Sequence, residues 1–434
     1  MDSNYFWILL ISLLFVFYTF IVRLEGKTWL APSSFFTLIW AVTIIVAVLF
    51  APNFYFSIKA ILFVLSALLM FFIGSFVLNV IAPSNISNNY INNTCAELNL
   101  PFLKKFIIVG VISSLIAVVL LLKIYNVNLL SGFSLDVYID TASKMSIDRY
   151  AGLSLPKPIM IFLSLGYAGC LCGGSVFAFS KKKTDKFLAL SSIFSILLFT
   201  IIYTARAVFL FSLMLFISSY LSTKLYLFKY NFKLFSLKKI MIIIFLAFFL
   251  FLMFLTTQIS RYGIKNFEFN EILKVLDHLK VWFFGNISGF SRWFDNVDLN
   301  NTDFNGGKYL FAGIFDFLGI SSRNIGLFTE YYCINDQNEF TNIFGIFRVL
   351  IEDFTIFGIY PLLFLAGILS NIIYKSVLNG KILFIPLLVM FYAFTLWSFI
   401  TNIFAYNTTI IACFIYFFII LHVKLTSKPA TKQG

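Results

Sequence analysis

Long apolar runs separated by short polar clusters repeat along almost the whole chain. A helix needs about 20 apolar residues to cross a bilayer. Eleven runs meet or approach that length: 5–22, 34–50, 58–81, 106–124, 159–179, 187–203, 207–221, 240–258, 354–374, 382–400 and 403–423. The stretch from 187 to 221 is 35 residues, or about 52 Å as one helix at 1.5 Å per residue. That is too long for one crossing, so it is split at Thr204-Ala205-Arg206, although no Gly or Pro marks a turn there. The pattern predicts an all-α polytopic membrane protein with about 11 transmembrane helices.

The polar intervals organise the chain into three parts. Residues 1–258 form an N-terminal bundle of eight helices, 259–353 one large loop, and 354–434 three helices with a basic tail. A smaller loop, 125–158, carries Asp136, Asp140, Asp148 and Arg149. In the large loop, 267–284 places Phe269, Ile272, Leu273, Leu276, Leu279 and Phe283 at helical spacing. Such a helix is expected to lie in the membrane interface. A polar turn at 300–307 follows, and the apolar run 309–318 is expected to dip back towards the bilayer.

Composition agrees with membrane residence. The chain is 60% hydrophobic and 12% charged, which no soluble globular domain matches. The pI of about 9.4 does not indicate nucleic acid, because the basic residues flank apolar spans and build no basic domain. The first run lacks a basic start and a small-residue cleavage site, and reads as a retained span. The five cysteines show neither a disulfide framework nor a metal spacing.

Charge orients the spans. With the N-terminus outside, the inner segments hold 18 Lys and Arg against three acids, and the outer ones 14 against 16. The reverse threading would put the run Lys181–Lys183 outside, against the positive-inside rule. In the favoured threading most lysines face inward, but six of the seven arginines face outward: Arg149, Arg206, Arg261, Arg292, Arg323 and Arg348. Topology does not distinguish Arg from Lys. Phosphate chemistry does, because the planar guanidinium binds oxyanions bidentately. The sorting points to a phosphorylated substrate at the outer face.

Arg206 sits between two apolar spans with no acid near it in sequence; a snorkelling helix-end arginine is the bland alternative. Arg348 would share a helical face with Thr341, Gly345 and Glu352, either as a structural Arg348–Glu352 pair or as a stripe lining a site. Arg261 and Arg323 flank the large loop, where solvated arginines are common. His278, beside Asp277, is the only outer histidine and could serve as a general base, or simply be exposed. Trp282, Trp293, Tyr331 and Tyr332 could stack on sugars or form an interfacial belt. No Walker loop, HExxH, GxSxG or dinucleotide fingerprint is present. The first outer segment, 51–57, has no acid, where a metal-dependent transferase using lipid-phosphate sugars would carry an acidic pair.

Three segments carry a resemblance. Thr341-Asn342, Arg348 and Asp353-Phe354, with Thr355 in the place of a glycine and Gly358 following, resemble the Wzy-type O-antigen polymerases. Gly289-Phe290-Ser291-Arg292-Trp293-Phe294 is similar to that family's small-aromatic motif ahead of a Gly-rich turn, here Gly306-Gly307. Thr204-Ala205-Arg206 is similar to the Ser/Thr-x-Arg hairpin of these polymerases and of O-antigen ligases.

The resemblance implies a GT-C-like membrane glycosyltransferase in the bacterial inner membrane. Its substrate would be an undecaprenyl-diphosphate-linked oligosaccharide presented on the periplasmic face, and it would use neither metal nor nucleotide sugar. A chain-length regulator protein would be a further partner. Arg206 and Arg348 are then expected on the diphosphate, helped by Arg261 or Arg323. Asp353, Glu352 or His278 would take the acceptor proton, with Tyr262, Asn342 and Trp293 as further substrate contacts. Two rivals stand beside this reading. A lipid-linked oligosaccharide flippase would have short loops on both sides, and an O-antigen ligase would favour a loop histidine.

Overall fold

The computed structural model describes residues 3–81, 99–127, 135–151, 155–231, 236–264, 269–298, 303–321 and 327–426. Among these, ten helices are long and apolar enough to cross a membrane, and the protein is an all-α multi-pass membrane protein. The chain folds as two compact units that cut across its sequential order. One comprises 1–87 and 280–407, the other 88–279 and 408–434.

The first unit contains α1 (Ser3–Gly26), α2 (Pro32–Phe50) and α3 (Ile58–Ile81). Pro32 opens α2, where its missing N–H is no loss. α3 crosses the long helix α12 (Gly345–Leu378) at two glycines. A Cβ on Gly74 would lie 2.0 Å from the Phe364 carbonyl, and one on Gly367 would lie 2.1 Å from that of Phe71. Lipid offers no hydrophobic drive for helices to associate, so close backbone approach through small residues must supply the packing.

α12 is two helices joined at a break. Thr355 has φ 65° and ψ 168°, a conformation open in practice only to glycine. The ten residues before it form a half-helix that is buried along nearly its whole length, while the 23 after it are the true span. The sequence expectation of a span beginning at 354 matches that division. The half-helix starts against another irregular segment, where Gly345 and Ile346 donate their N–H groups to the carbonyls of Ile400 and Ser398.

The apolar run 382–400 does not form one long helix. α13 (Ile385–Trp397) has 13 residues, about 20 Å against a hydrocarbon core of about 30 Å. Beyond it the backbone is irregular to Tyr406, and Ser398 and Asn402 are wholly buried. Non-helical backbone at such depth is tolerated only inside protein. An uninterrupted apolar sequence concealed this, because Phe and Ile fill the break as well as they fill a helix.

The second unit contains α4 (Leu100–Ile124), α5 (Leu135–Tyr150), α6 (Lys157–Phe179), α7 (Lys183–Tyr203), α8 (Arg206–Phe228), α9 (Leu237–Arg261) and most of α14 (Asn407–Thr426). The split of 187–221 into two helices holds. Thr204 ends α7 in the left-handed conformation, φ 54° and ψ 26°, a place usually taken by glycine. Gly110 of α4 and Gly169 of α6 bring their backbones together, and Gly174 abuts the Phe216 carbonyl of α8. Inside this packing, Tyr416 and Ser175 share a hydrogen bond of 2.6 Å, and Ser175 also meets Ser219 and Thr223 at 2.9 and 3.1 Å.

The amphipathic helix is longer than its sequence pattern. α10 (Phe269–Asn296) runs 28 residues, and the boundary between the units falls within it at Lys280. The apolar run 309–318 yields only a short helix, α11 (Ala312–Phe317), which leaves Phe317 and Leu318 exposed. A two-stranded antiparallel ladder, β1 (Tyr332–Cys333) with β2 (Phe340–Thr341), precedes α12.

Replacing Gly74 or Gly367 by leucine is expected to destabilise the α3–α12 crossing by at least about 1–3 kcal/mol through overpacking. Thermal unfolding of the detergent-solubilised protein measures this; an unchanged midpoint in both variants would contradict the crossing.

Candidate functional sites

Two clusters gather the residues singled out from the sequence, one in each unit. The first surrounds the turn between α7 and α8. Three carbonyls at the end of α7 accept side-chain donors from elsewhere in the unit. Tyr138 donates its hydroxyl to Ile201 at 2.9 Å, and Arg149 donates Nη1 to Tyr203 at 3.1 Å. Arg261 directs both Nε (2.8 Å) and Nη2 at the Thr204 carbonyl. Cations on the last carbonyls of a helix satisfy its orphan acceptors and its dipole, which explains how a threonine is held in a left-handed turn.

Arg206 is the first residue of α8 and is 5% exposed. Its guanidinium lies 5.7 Å from the centre of the Phe254 ring. No side chain caps α8, because Ala205 occupies the N-cap. The positive end of a helix dipole therefore coincides with a buried guanidinium, with Arg149 and Arg261 on the same turn.

His278, on α10, stands in the field of this cluster. Its side chain keeps solvent access, yet partial burial and then the positive charges of Arg206 and Arg261 lower its pKa to about 4. Tyr262 meets it edge-on, with ring centres 6.1 Å apart. At neutral pH His278 is an uncharged imidazole and a weak base.

The second cluster surrounds Arg348, in the buried half-helix of α12. The expected face holds for Gly345, Arg348 and Glu352, whereas Thr341 belongs to β2 and precedes the helix. Arg348 is 1% exposed. Its Nε donates to Glu352 at 3.4 Å, and its Nη2 is paired with Glu330. Its guanidinium carbon lies 3.9, 4.2 and 5.1 Å from the ring centres of Phe328, Phe344 and Trp293.

The motifs separated in sequence meet here. A Cβ on Gly289 would fall 2.6 Å from Thr341 and 2.8 Å from the Ile343 carbonyl, so the small residue lets α10 lie against the Thr341-Asn342 segment. Asn342 itself is half-buried between β2 and α12. The Gly-rich turn docks on the end of the half-helix, where Asn305 and Gly306 donate N–H groups to the Asp353 carbonyl. The Asp353 carboxylate takes the N–H groups of Tyr309 and Leu310 at 2.9 and 2.6 Å. Wholly buried and with both oxygens occupied, Asp353 is a structural anchor in this arrangement rather than an open base.

Arg292 lies flat on Tyr55, its guanidinium carbon 3.7 Å from the ring centre. Asp295 accepts hydroxyl donors from Tyr55 at 2.7 Å and Ser57 at 2.8 Å. The segment 51–57, acid-free in sequence, thus receives a carboxylate from α10. Arg323 lies outside the described residues. No group of His, Cys, Asp and Glu able to hold a metal occurs among the described residues.

No family model matches the chain, and neither a curated protein nor a solved structure matches it.

Glu330 had no distinguishing mark in the sequence. It is a loop acid beside two tyrosines, and only the fold pairs it with Arg348.

Two outcomes test these geometries. Arg261→Ala removes a cation that disfavours imidazolium, so the NMR titration midpoint of His278 should rise from about 4. Unfolded histidine binds protons near 6.5, so between these pH values the unfolded state holds more protons and stability rises with pH. That contribution is complete above the unfolded value. A fall in the midpoint would contradict the placement of Arg261. At the helix break, Thr355→Gly relieves about 1–3 kcal/mol of backbone strain and returns roughly 1 kcal/mol as unfolded-state entropy. The variant should melt at or above the wild-type temperature; a clear drop would contradict the strained conformation.

Proposed function

We propose that this protein is a polymerase of lipid-linked oligosaccharide repeat units, of the Wzy type, acting at the outer face of a bacterial inner membrane. One observation carries the reading: Arg149, Arg206 and Arg261, from three separate parts of the chain, converge on the turn between α7 and α8. The lysine bias puts that turn on the periplasmic side. A membrane-embedded guanidinium at the end of a span suits the diphosphate of a lipid carrier.

In the proposed reaction, a sugar hydroxyl at the non-reducing end of one unit attacks the anomeric carbon of the growing chain. The bond from that carbon to the diphosphate oxygen breaks, and undecaprenyl diphosphate leaves. The reaction demands stabilisation of growing negative charge, which fixed guanidinium donors in a low-dielectric setting provide. Arg206 is assigned to that role with Arg261 beside it. Arg348 receives a different one, because its Nε and Nη2 are held by carboxylates. A GT-C-like architecture, with a periplasmic loop before the C-terminal helices, belongs to the same proposal, as does a partner protein that sets chain length.

A second reading has one observation in its favour. His278 lies in the field of Arg206 and Arg261, an arrangement that suits an O-antigen ligase with a loop histidine.

The gene deletion and point variants separate the two. Loss of a polymerase leaves a single repeat unit on the lipopolysaccharide core, whereas loss of a ligase accumulates long lipid-linked chains. Arg206→Ala and Arg261→Ala are expected to cut long-chain product by at least about 10²-fold at unchanged protein level, and Arg206→Lys to restore it in part. Wild-type chain lengths in both alanine variants, read on a polysaccharide gel, would defeat the diphosphate assignment.

A further inference from the structure

The segment 303–321 is fastened within the first unit at two points, and each adjoins the start of a membrane span. At the first, Asn305 and Gly306 donate N–H groups to the Asp353 carbonyl, and Phe304 packs edge-on against Phe354 with ring centres 6.0 Å apart. Phe354 adjoins the break from which the crossing part of α12 runs. At the second, a Cβ on Gly313 would lie 2.8 Å from both the Asn407 Oδ1 and the Phe404 carbonyl. Asn407 also donates its amide to Asp316 at 3.0 Å. Asn407 is the first residue of α14. Between the two points, the Asn402 amide donates to the Leu310 carbonyl.

The crossing part of α12 has 23 residues and α14 has 20, or about 34 and 30 Å at 1.5 Å per residue. A hydrocarbon core of about 30 Å uses nearly all of that length, so each span starts at its edge. A segment tied to both starts lies along that edge.

What this segment leaves uncovered is apolar. α11 turns Ala312 and Gly313 inwards, while Phe304, Phe317, Leu318 and Ile320 are each 61–71% exposed. These side chains are not on a fraying end. Gly319, with φ 71°, donates its N–H to the Asp316 carbonyl, and Ile320 donates to that of Phe315 at 2.8 Å. That pair of bonds is the usual left-handed stop of a helix, and it fixes the direction of the residues around it. Large apolar side chains held in the open mark a contact surface.

We propose that Phe304, Phe317, Leu318 and Ile320 enter the bilayer interface, so that residues 303–321 form a shelf lying on the lipid; this stands apart from the polymerase reading. The occupant is the bilayer itself, because the face continues the level at which α12 and α14 enter it. Aromatic and branched apolar side chains suit that boundary. The shelf also supplies all four N–H donors to Asp353. Lipid contact therefore helps to hold the half-helix that carries Arg348 at a set depth.

The test uses the full-length protein in nanodiscs of phosphatidylcholine alone, which contain no polyprenyl lipid. Cys170, Cys172 and Cys413 are buried, so Cys95→Ser with Cys333→Ser provides the background for labelling. A nitroxide is placed singly at Phe317→Cys, Leu318→Cys and Ile320→Cys. A control label goes to Asp336→Cys, exposed in the turn between β1 and β2. Power-saturation EPR is expected to show oxygen colliding more than a water-soluble nickel chelate at the three shelf positions, and the reverse at 336. Nickel collisions in excess at the shelf would show a face in water and overturn the proposal. Low collision with both reagents would show a face covered by protein, a second copy included, and would overturn it equally. The unlabelled wild type gives an independent reading. A phosphatidylcholine with a diazirine near its ester carbonyls should leave adducts on peptides from 303–321. Adducts on the spans with none on this segment would sink the assignment without recourse to any variant.

Discussion

The break in the long helix after Asp353 is the constraint on which the first unit depends. Backbone that leaves helical form at membrane depth must find its partners inside the protein. Asp353 meets that demand with its carbonyl and its carboxylate together, taking N–H groups from Asn305, Gly306, Tyr309 and Leu310. Four donors of the segment 305–310 are thereby tied to the point where the half-helix stops. The break lets the half-helix stay buried while the remainder spans, and the buried half carries Arg348. Without Thr355 in its strained conformation, one straight helix would run from Gly345 and the loop would lose its anchor.

Much of this architecture was legible in the sequence. The spans follow from apolar length, and the hairpin at Thr204 from the excess length of 187–221. The segments 289–294, 306–307 and 341–354 drew attention separately, and they pack together in the structure. Thr355 stands where the resembled motif has a glycine, and its backbone has the torsion that glycine permits. Two features left no trace. The shortness of α13 is hidden because Ile403 and its neighbours are as apolar as a helix, and hydropathy measures depth rather than backbone form. Glu330 is hidden because pairing across 18 residues of loop has no periodicity to report it.

The arginines that look alike in sequence divide by the company they keep. Arg149 and Arg261 face carbonyls at a helix end, where they neutralise a dipole. Arg292 covers Tyr55 of the segment 51–57. Arg348 is surrounded by rings and answered by two acids. The lowered pKa of His278 comes first from burial and then from the guanidinium charges of Arg206 and Arg261. A guanidinium that faces two carboxylates is paired with them.

Glycosyl transfer from a lipid diphosphate asks for both of these surroundings. The leaving group develops negative charge and needs uncompensated cations; the attacking hydroxyl loses a proton and needs an anion. An Arg–carboxylate contact satisfies itself as readily as it binds substrate. Arg206 and Arg261 belong to one compact unit and Glu330, Arg348 and Glu352 to the other. Each cluster is assembled within its own unit. The arginines that look alike in sequence therefore do not carry one signal. Some cap the end of a helix, and one is paired with two acids.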